Sequence, residues 1–143
     1  MRIEGTVRGD PQDKLRELVL LYGQRDKVLT TAEEDSIVNT AVSEYGFTVG
    51  AARAIVIATA AGAGIEIESD YEDAAKAMLG ALGGTRKLIK EADFDLVAQY
   101  YLGKSKLAQD EVRRRVKQLA EKDDISPAPT GIFFSTRWFR SIR

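Results

Sequence analysis

The amino-acid sequence predicts an all-α protein, a compact bundle of six or seven helices followed by an extended C-terminal tail. Three observations predict it. Apolar residues recur at the period of an amphipathic helix, capping residues and glycines separate these segments, and the stretch 48–67 is almost entirely small or apolar. With 143 residues, 44% of them hydrophobic, the chain is long enough for one domain with a substantial core.

The first two helices are predicted from their caps. Helix one begins at Asp10 and Pro11, because Asp is a favoured N-cap and Pro is tolerated at the first helical position. Its apolar residues recur with helical spacing up to Gly23, where it ends; they are Leu15, Leu18, Val19 and Tyr22. Helix two begins within Thr30-Thr31-Ala32-Glu33, where a Thr hydroxyl caps the first turn while Glu33 reaches back to the cap.

The stretch 48–67 predicts the central helix of the bundle. Arg53 is the only charge between Val49 and Ile65, so a helix here is apolar on nearly every side, as expected for a helix surrounded by others. The uncharged remainder, from Ala54 to Ile65, is shorter than the roughly 20 apolar residues of a membrane span. A buried core helix is therefore predicted.

The second half of the chain predicts three or four more helices. Ser69 and Glu72 form a capping-box pattern that opens one of them, and Asp93 is a candidate cap for another. Two prolines, Pro127 and Pro129, end the helical region because Pro interrupts helical hydrogen bonding. The predicted segments are a helix from Ser69 to Gly83, a short charged helix within 85–91, a helix within 93–103 and a helix within 108–122.

The chain also aligns with itself, in the register that pairs Leu18 with Leu96. Each copy contains an apolar helix, a polar loop, a lone Leu and a helix with Glu near its start, so the alignment predicts two pseudo-repeated helix–loop–helix hairpins around the small-residue helix. The identities between 18–38 and 96–116 pair Leu18, Val19, Tyr22, Leu29, Glu33 and Val38 with Leu96, Val97, Tyr100, Leu107, Glu111 and Val116.

This order of helix, polar loop with an acid, Leu and helix-opening Glu resembles the TerB-like family of tellurite-resistance-associated helical domains. The resemblance covers roughly the stretch 11–122. In that family the acids of the loop and of the helix start form a proposed divalent-metal site. The resemblance implies a bacterial stress-response or sensing module in which Asp26 and Glu33 bind the metal, with Glu111 as the second-copy counterpart of Glu33.

Composition excludes several kinds of chemistry. The chain contains no Cys and no His, which removes thiolate nucleophiles, disulfides and every Ser-His or Cys-His scheme. A net charge of −1 argues against general nucleic-acid binding, which needs a basic excess. The N-terminal MRIEGTVRGD lacks the apolar region of a secretory signal, so a cytoplasmic location is expected.

Three charged patterns have alternative interpretations. Glu66, Glu68, Asp70 and Glu72 follow the spacing of a calcium loop, but the positions that need Gly and a bidentate Glu are occupied by Tyr71 and Ala77. The glycines at 83–84 precede two cations, as in an anion-binding loop, or simply end a helix. Basic residues of the last helix form either a solvated ridge or a site for acidic partners; they include Arg113, Arg114 and Lys117.

The C-terminal tail, 126–143, contains an unusual concentration of aromatic and basic residues. Three of the five Phe and the only Trp fall between Phe133 and Arg143. Exposure of that apolar area would cost several kcal/mol at ~25 cal/mol per Å². The tail therefore folds back on its own helices, docks on a partner, or inserts at an anionic membrane surface. The candidate partner-binding residues are Phe133, Phe134, Arg137, Trp138, Phe139 and Arg140.

Together these features predict a non-enzymatic cytoplasmic adaptor or assembly factor that acts through protein–protein contacts or self-association. The predicted organisation is an N-terminal arm (1–9), a helical domain (10–125) and a docking tail (126–143). No cofactor is expected. The alternative is the divalent-metal module implied by the TerB-like resemblance, and an enzyme is a third class because only carboxylates, Lys, Tyr and hydroxyls remain for chemistry.

Overall fold

The structure of the protein is a computed structural model that describes residues 10–143. The predicted N-terminal arm, 1–9, lies outside the described residues. The all-α fold is confirmed, with seven helices and four two-residue strands in the described part. The described chain divides into two compact units between Ser69 and Asp70, so the boundary falls inside the segment predicted as one helical domain.

The first unit contains three helices and one pair of short parallel strands. Strands β1 (Val28–Leu29) and β2 (Glu66–Ile67) are parallel, with Val28 opposite Glu66 and Leu29 opposite Ile67. The buried core lies where the three helices meet around this pair. The elements are α1 (Pro11–Gly23), β1 (Val28–Leu29), α2 (Thr31–Tyr45), α3 (Val49–Ala63) and β2 (Glu66–Ile67).

The second unit has the same order of elements and adds a tail. Strands β3 (Leu88–Ile89) and β4 (Ser126–Pro127) are also parallel, with Leu88 opposite Ser126 and Ile89 opposite Pro127. The chain is extended at Pro127, as predicted, but the preceding helix already ends at Lys122. The tail predicted as extended throughout is corrected, because it contains a short helix, Arg137–Arg140. The elements are α4 (Glu68–Gly83), which begins at the end of the first unit, β3 (Leu88–Ile89), α5 (Glu91–Ser105), α6 (Gln109–Lys122), β4 (Ser126–Pro127) and α7 (Arg137–Arg140).

The two units repeat each other in the register that pairs Lys27 with Lys87. Both lysines have a positive φ, 61° and 53°, immediately before a strand. Their carbonyls accept equivalent backbone hydrogen bonds of 2.8 Å from the N–H groups of Glu66 and Ser126. Buried positions also match across the units; they include Val19 and Leu79, Leu29 and Ile89, Ile37 and Val97, Ala52 and Val112, Val56 and Val116, and Ile65 and Ile125.

The repeat in the structure therefore differs in register from the one that pairs Leu18 with Leu96. The sequence-based register matches Leu29, which is buried in β1, with Leu107, which lies outside any strand. Identities at helical spacing match any two amphipathic helices. The true register is determined by two-residue strands, which are too short for a periodic sequence signal.

The predicted caps of the first unit are confirmed. Thr30 Oγ1 accepts a hydrogen bond from the Glu33 backbone N–H at 3.2 Å, and the Glu33 carboxylate accepts one from the Thr30 N–H at 3.0 Å. At the start of α3, Thr48 Oγ1 accepts a single hydrogen bond from the Ala51 N–H at 3.1 Å, without a reciprocal side-chain bond. Reciprocal side-chain and backbone bonds satisfy N–H groups that a helix start leaves unpaired.

Three predicted boundaries in the second half are wrong. Ser69 lies inside α4, which begins at Glu68, and its hydroxyl donates to Glu34 instead of capping the helix. The short helix expected within 85–91 is replaced by β3. Helix α5 begins before Asp93, with Lys90 in the N-cap position and no side-chain cap.

Helix α3 differs from the prediction of a helix buried on nearly every side. Its buried residues, Ala52, Val56 and Ala60, follow an i, i+4, i+8 stripe on one side only. Ile57 on another side is 45% exposed. The sequence could not separate the faces of α3, because apolar residues occupy both the buried and the exposed side.

The matched glycines Gly23 and Gly83 predict opposite responses to alanine. A Cβ at Gly23 would lie 2.7 Å from the Ile65 Cδ1 atom, whereas one at Gly83 would lie 3.5 Å from Ile125. We expect Gly23→Ala to destabilise the protein by about 1–3 kcal/mol through overpacking. Gly83→Ala is expected to be neutral or stabilising by up to ~1 kcal/mol, since alanine favours helix.

Urea denaturation of both variants measures this difference. Equal losses in the two variants would contradict the close approach seen only at Gly23.

Candidate contact site in the C-terminal tail

The tail contains a closed loop, 131–134, called here the apolar loop. Thr130 and Ser135 close it with reciprocal backbone hydrogen bonds of 2.8 and 2.9 Å. Ile132, Phe133 and Phe134 are 88%, 90% and 77% exposed. Three consecutive large apolar side chains therefore face solvent on a loop with defined ends.

Backbone geometry adds to the unusual character of this loop. Phe134 has a φ of 50°, in the left-handed region that Gly and Asn tolerate best. Neither local backbone preference nor burial within its own chain accounts for an aromatic residue at this position.

The second part of the tail, Trp138 and Phe139, is called here the tail anchor, because it packs on the second unit. Both rings contact Phe94 edge to face, with centroid distances of 5.5 and 6.0 Å. Trp138 Nε1 donates to the Ala128 carbonyl at 3.0 Å. Phe139 is 5% exposed, and the Lys117 ammonium lies 5.0 Å from its ring centroid. The anchor thus fixes the tail on its own unit.

The basic residues of α6 hold the end of the tail. Lys117 Nζ donates to the Ile142 carbonyl at 2.9 Å, and Arg114 Nε donates to the Arg143 carbonyl at 2.6 Å. Arg113 pairs with Asp95 at 2.7 Å. The ridge that the sequence left as either solvated or partner-binding therefore makes contacts within its own chain.

Comparison of the two units of the repeat explains why the tail anchor packs on the second unit. Phe94 occupies the position that corresponds to Glu34 in the first unit. Glu34 is 2% exposed and accepts hydrogen bonds from Arg53 at 3.0 Å and from Ser69 at 2.8 Å. In the second unit the equivalent arginine, Arg113, lies over the Phe94 ring at 5.2 Å. The same position of the repeat thus holds a buried carboxylate in the first unit and, in the second unit, an aromatic ring on which the tail packs.

The six predicted contact residues divide into two groups. Phe133 and Phe134 are exposed, whereas Trp138 and Phe139 pack on the second unit. Arg137 and Arg140 are exposed and form no ion pair with any residue of 10–143. The sequence singled out neither Ile132 as a contact residue nor Phe94 as the receptor. The adjacency of Ile132 to Phe133 was the only available signal.

The residues of the implied metal site have separate roles. Asp26 is exposed in the turn after α1, and the Glu33 carboxylate caps α2. Glu111 pairs with Arg114 and Arg115. In the part of the chain that the structure describes, no three carboxylates are grouped as a metal site would require.

Two further acids of the calcium-like spacing also have partners. Glu68 accepts a hydrogen bond from the Thr31 N–H at 2.8 Å, and Glu72 accepts one from the Tyr101 hydroxyl at 3.1 Å. Burial raises the pKa of Tyr101 well above its usual range. Tyr101 therefore stays protonated near neutrality and acts as a packed donor, with its ring edge to face with Tyr71.

Two further findings concern membrane-spanning helices and similarity to known proteins. Across residues 10–143, no helix combines the length and the apolar character needed to cross a bilayer. Comparison of the chain with protein-family models, curated proteins and solved structures finds no significant match.

Proposed function

We propose that this protein is a non-enzymatic adaptor or assembly factor that contacts other proteins through the apolar loop. The observation that carries the proposal is the exposure of Ile132, Phe133 and Phe134 on a loop closed by two backbone hydrogen bonds. Contiguous exposed apolar patches of a few hundred Å² are often functional surfaces.

The area involved is large for so short a segment. The three side chains expose roughly 450 Å² of apolar surface, given that a buried aromatic residue covers about 150–250 Å². Burial of that area corresponds to on the order of 10 kcal/mol of transfer free energy before the costs of association are subtracted. A few residues therefore supply most of the favourable free energy of a contact that covers the loop.

The anchor prepares the loop for binding. Because Trp138 and Phe139 hold the tail on Phe94, the loop loses less conformational entropy on binding than a free peptide would. The nearby Arg137 and Arg140 are exposed and belong to a residue type enriched at interface hot spots. An apolar centre beside cations fits an apolar pocket with acidic neighbours.

A double variant, Phe133→Ser with Phe134→Gly, tests the proposal. We expect its melting temperature to equal or exceed that of the wild type, because both side chains are exposed and Gly is favoured at the positive φ of residue 134. Association with partners captured from an extract of the source organism is expected to weaken at least about tenfold. The matched control is Leu96→Ala, which removes another exposed apolar side chain in the second unit.

The same two variants are compared for sedimentation with vesicles of anionic lipid. Loop-dependent vesicle binding without any loop-dependent protein partner would replace protein contact by membrane contact. Equal capture of every partner by the wild type and the double variant would contradict the proposed function.

A further inference from the structure

We propose that the partner of the apolar loop is a second copy of this chain, and that the loop docks on the exposed face of α3 in the first unit of that copy. This inference rests on the proposed function and names its partner. It predicts head-to-tail self-association, in which one surface of each copy binds a different surface of the next.

Helix α3 presents a solvent-exposed face without a polar side chain. Five exposed residues on the side opposite the buried stripe form it, and we call it the α3 outer face. It is formed by Gly50, Ala54, Ile57, Ala58 and Ala61. Exposed helix faces usually carry charged or polar residues, so this face is suited to apolar contact. Ile57, 45% exposed, lies at its centre with small neighbours that leave room for aromatic rings.

The two units carry opposite net charge. The stretch 1–69 contains eleven acidic and seven basic side chains, a net charge of −4. The stretch 70–143 contains eleven acidic and fourteen basic side chains, a net charge of +3. Charge complementarity therefore favours contact between the second unit of one copy and the first unit of another, and disfavours contact between like units.

The size of the loop predicts a weak and reversible contact. Its roughly 450 Å² is smaller than the ~800 Å² per partner of a standard stable interface. We therefore expect association at micromolar or higher concentration that weakens as salt is added, since screening reduces the attraction between the units. Because the two contact surfaces differ, growth can continue beyond a dimer.

Mixing two association-defective variants tests this inference. The loop variant is Phe133→Ser with Phe134→Gly, and the face variant is Ala54→Lys with Ala58→Lys, which adds charges that repel the basic second unit while keeping good helix formers. Each variant alone is expected to remain monomeric in sedimentation velocity. Their mixture is expected to form dimers and nothing larger, because one intact loop and one intact face remain.

The control for the face variant is Ser36→Lys with Asn39→Lys, which adds the same two charges at exposed positions of α2. It loses the same net charge but keeps the α3 outer face, so we expect it to associate more weakly than the wild type and much more strongly than the face variant. The inference is overturned if the wild type stays monomeric up to about 1 mM, if the face variant associates normally, or if the mixture forms no dimer. Loop-dependent capture of a different protein in that case would leave the proposed function intact. If the wild type shows neither self-association nor loop-dependent capture of another protein, both this inference and the proposed function are overturned.

Discussion

Phe94→Ala is expected to lower the free energy of unfolding by about 3–5 kcal/mol and to release the tail. Phe94 is fully buried and receives the rings of both Trp138 and Phe139. Its removal leaves a cavity and exposes the anchor, so the transfer and packing contributions are lost together. The expected loss is the largest for any single substitution considered for this chain.

The only Trp of the chain, Trp138, reports the same event directly. Urea denaturation measures the loss of stability, and tryptophan emission of the folded variant is expected to shift to longer wavelength as the indole enters water. Leu96→Ala on the same helix is the control, because Leu96 is exposed and its truncation is expected to change stability by less than ~0.5 kcal/mol. Unchanged emission in folded Phe94→Ala would contradict the anchor.

Glu34→Ala is expected to cost about 2–3 kcal/mol, the second largest effect. The carboxylate of Glu34 is nearly fully buried and joins Arg53 on α3 to Ser69 on α4. Its removal leaves the Ser69 hydroxyl without its acceptor and opens a cavity. The loss is moderated because the Arg53 side chain is 44% exposed, so water replaces part of the lost ion pair.

Two further variants, Asp35→Ala and Glu34→Gln, separate the effect of burying the carboxylate from the effect of its charge on stability. Asp35→Ala removes the exposed partner of Arg53, which pairs at 3.5 Å, and is expected to cost only about 0–1 kcal/mol. Glu34→Gln keeps the shape and an acceptor for Ser69, so its loss should fall between those of the two alanine variants. Thermal or urea unfolding measures all three. Equal losses for Asp35→Ala and Glu34→Ala would contradict a structural role for the buried carboxylate.

The sequence predicted most helices because their ends are chemically marked. The helix starts are marked by Pro11, by Thr30 with Glu33, and by Thr48. Each of these caps depends only on residues close in sequence, so it can be recognised without knowledge of the tertiary structure. The start of α5 was missed because Lys90 occupies the N-cap position without a side-chain cap. Strands of two residues give no periodic pattern, so β1 to β4 could not be predicted.

The candidate site could be predicted only in part. The concentration of aromatic residues in the tail was visible, but the division between loop and anchor depends on Phe94, which lies in α5, far from the tail along the chain. The receptor role of Phe94 follows from its place in a repeat whose register appears only in three dimensions. The exposed face of α3 could not be predicted from the sequence, because it has the same apolar composition as the buried face.

The central feature of the tail is a free apolar loop beside a fixed anchor, and hydroxyl-radical footprinting of the dilute full-length protein tests it most directly. Each residue is compared with a free peptide of the same tail sequence, which corrects for the intrinsic reactivity of each ring. We expect Phe133 and Phe134 to be oxidised as fast as in the peptide, and Trp138 and Phe139 to be protected. Protection of Phe133 and Phe134 in the dilute monomer, or free oxidation of Phe139, would contradict this division of the tail.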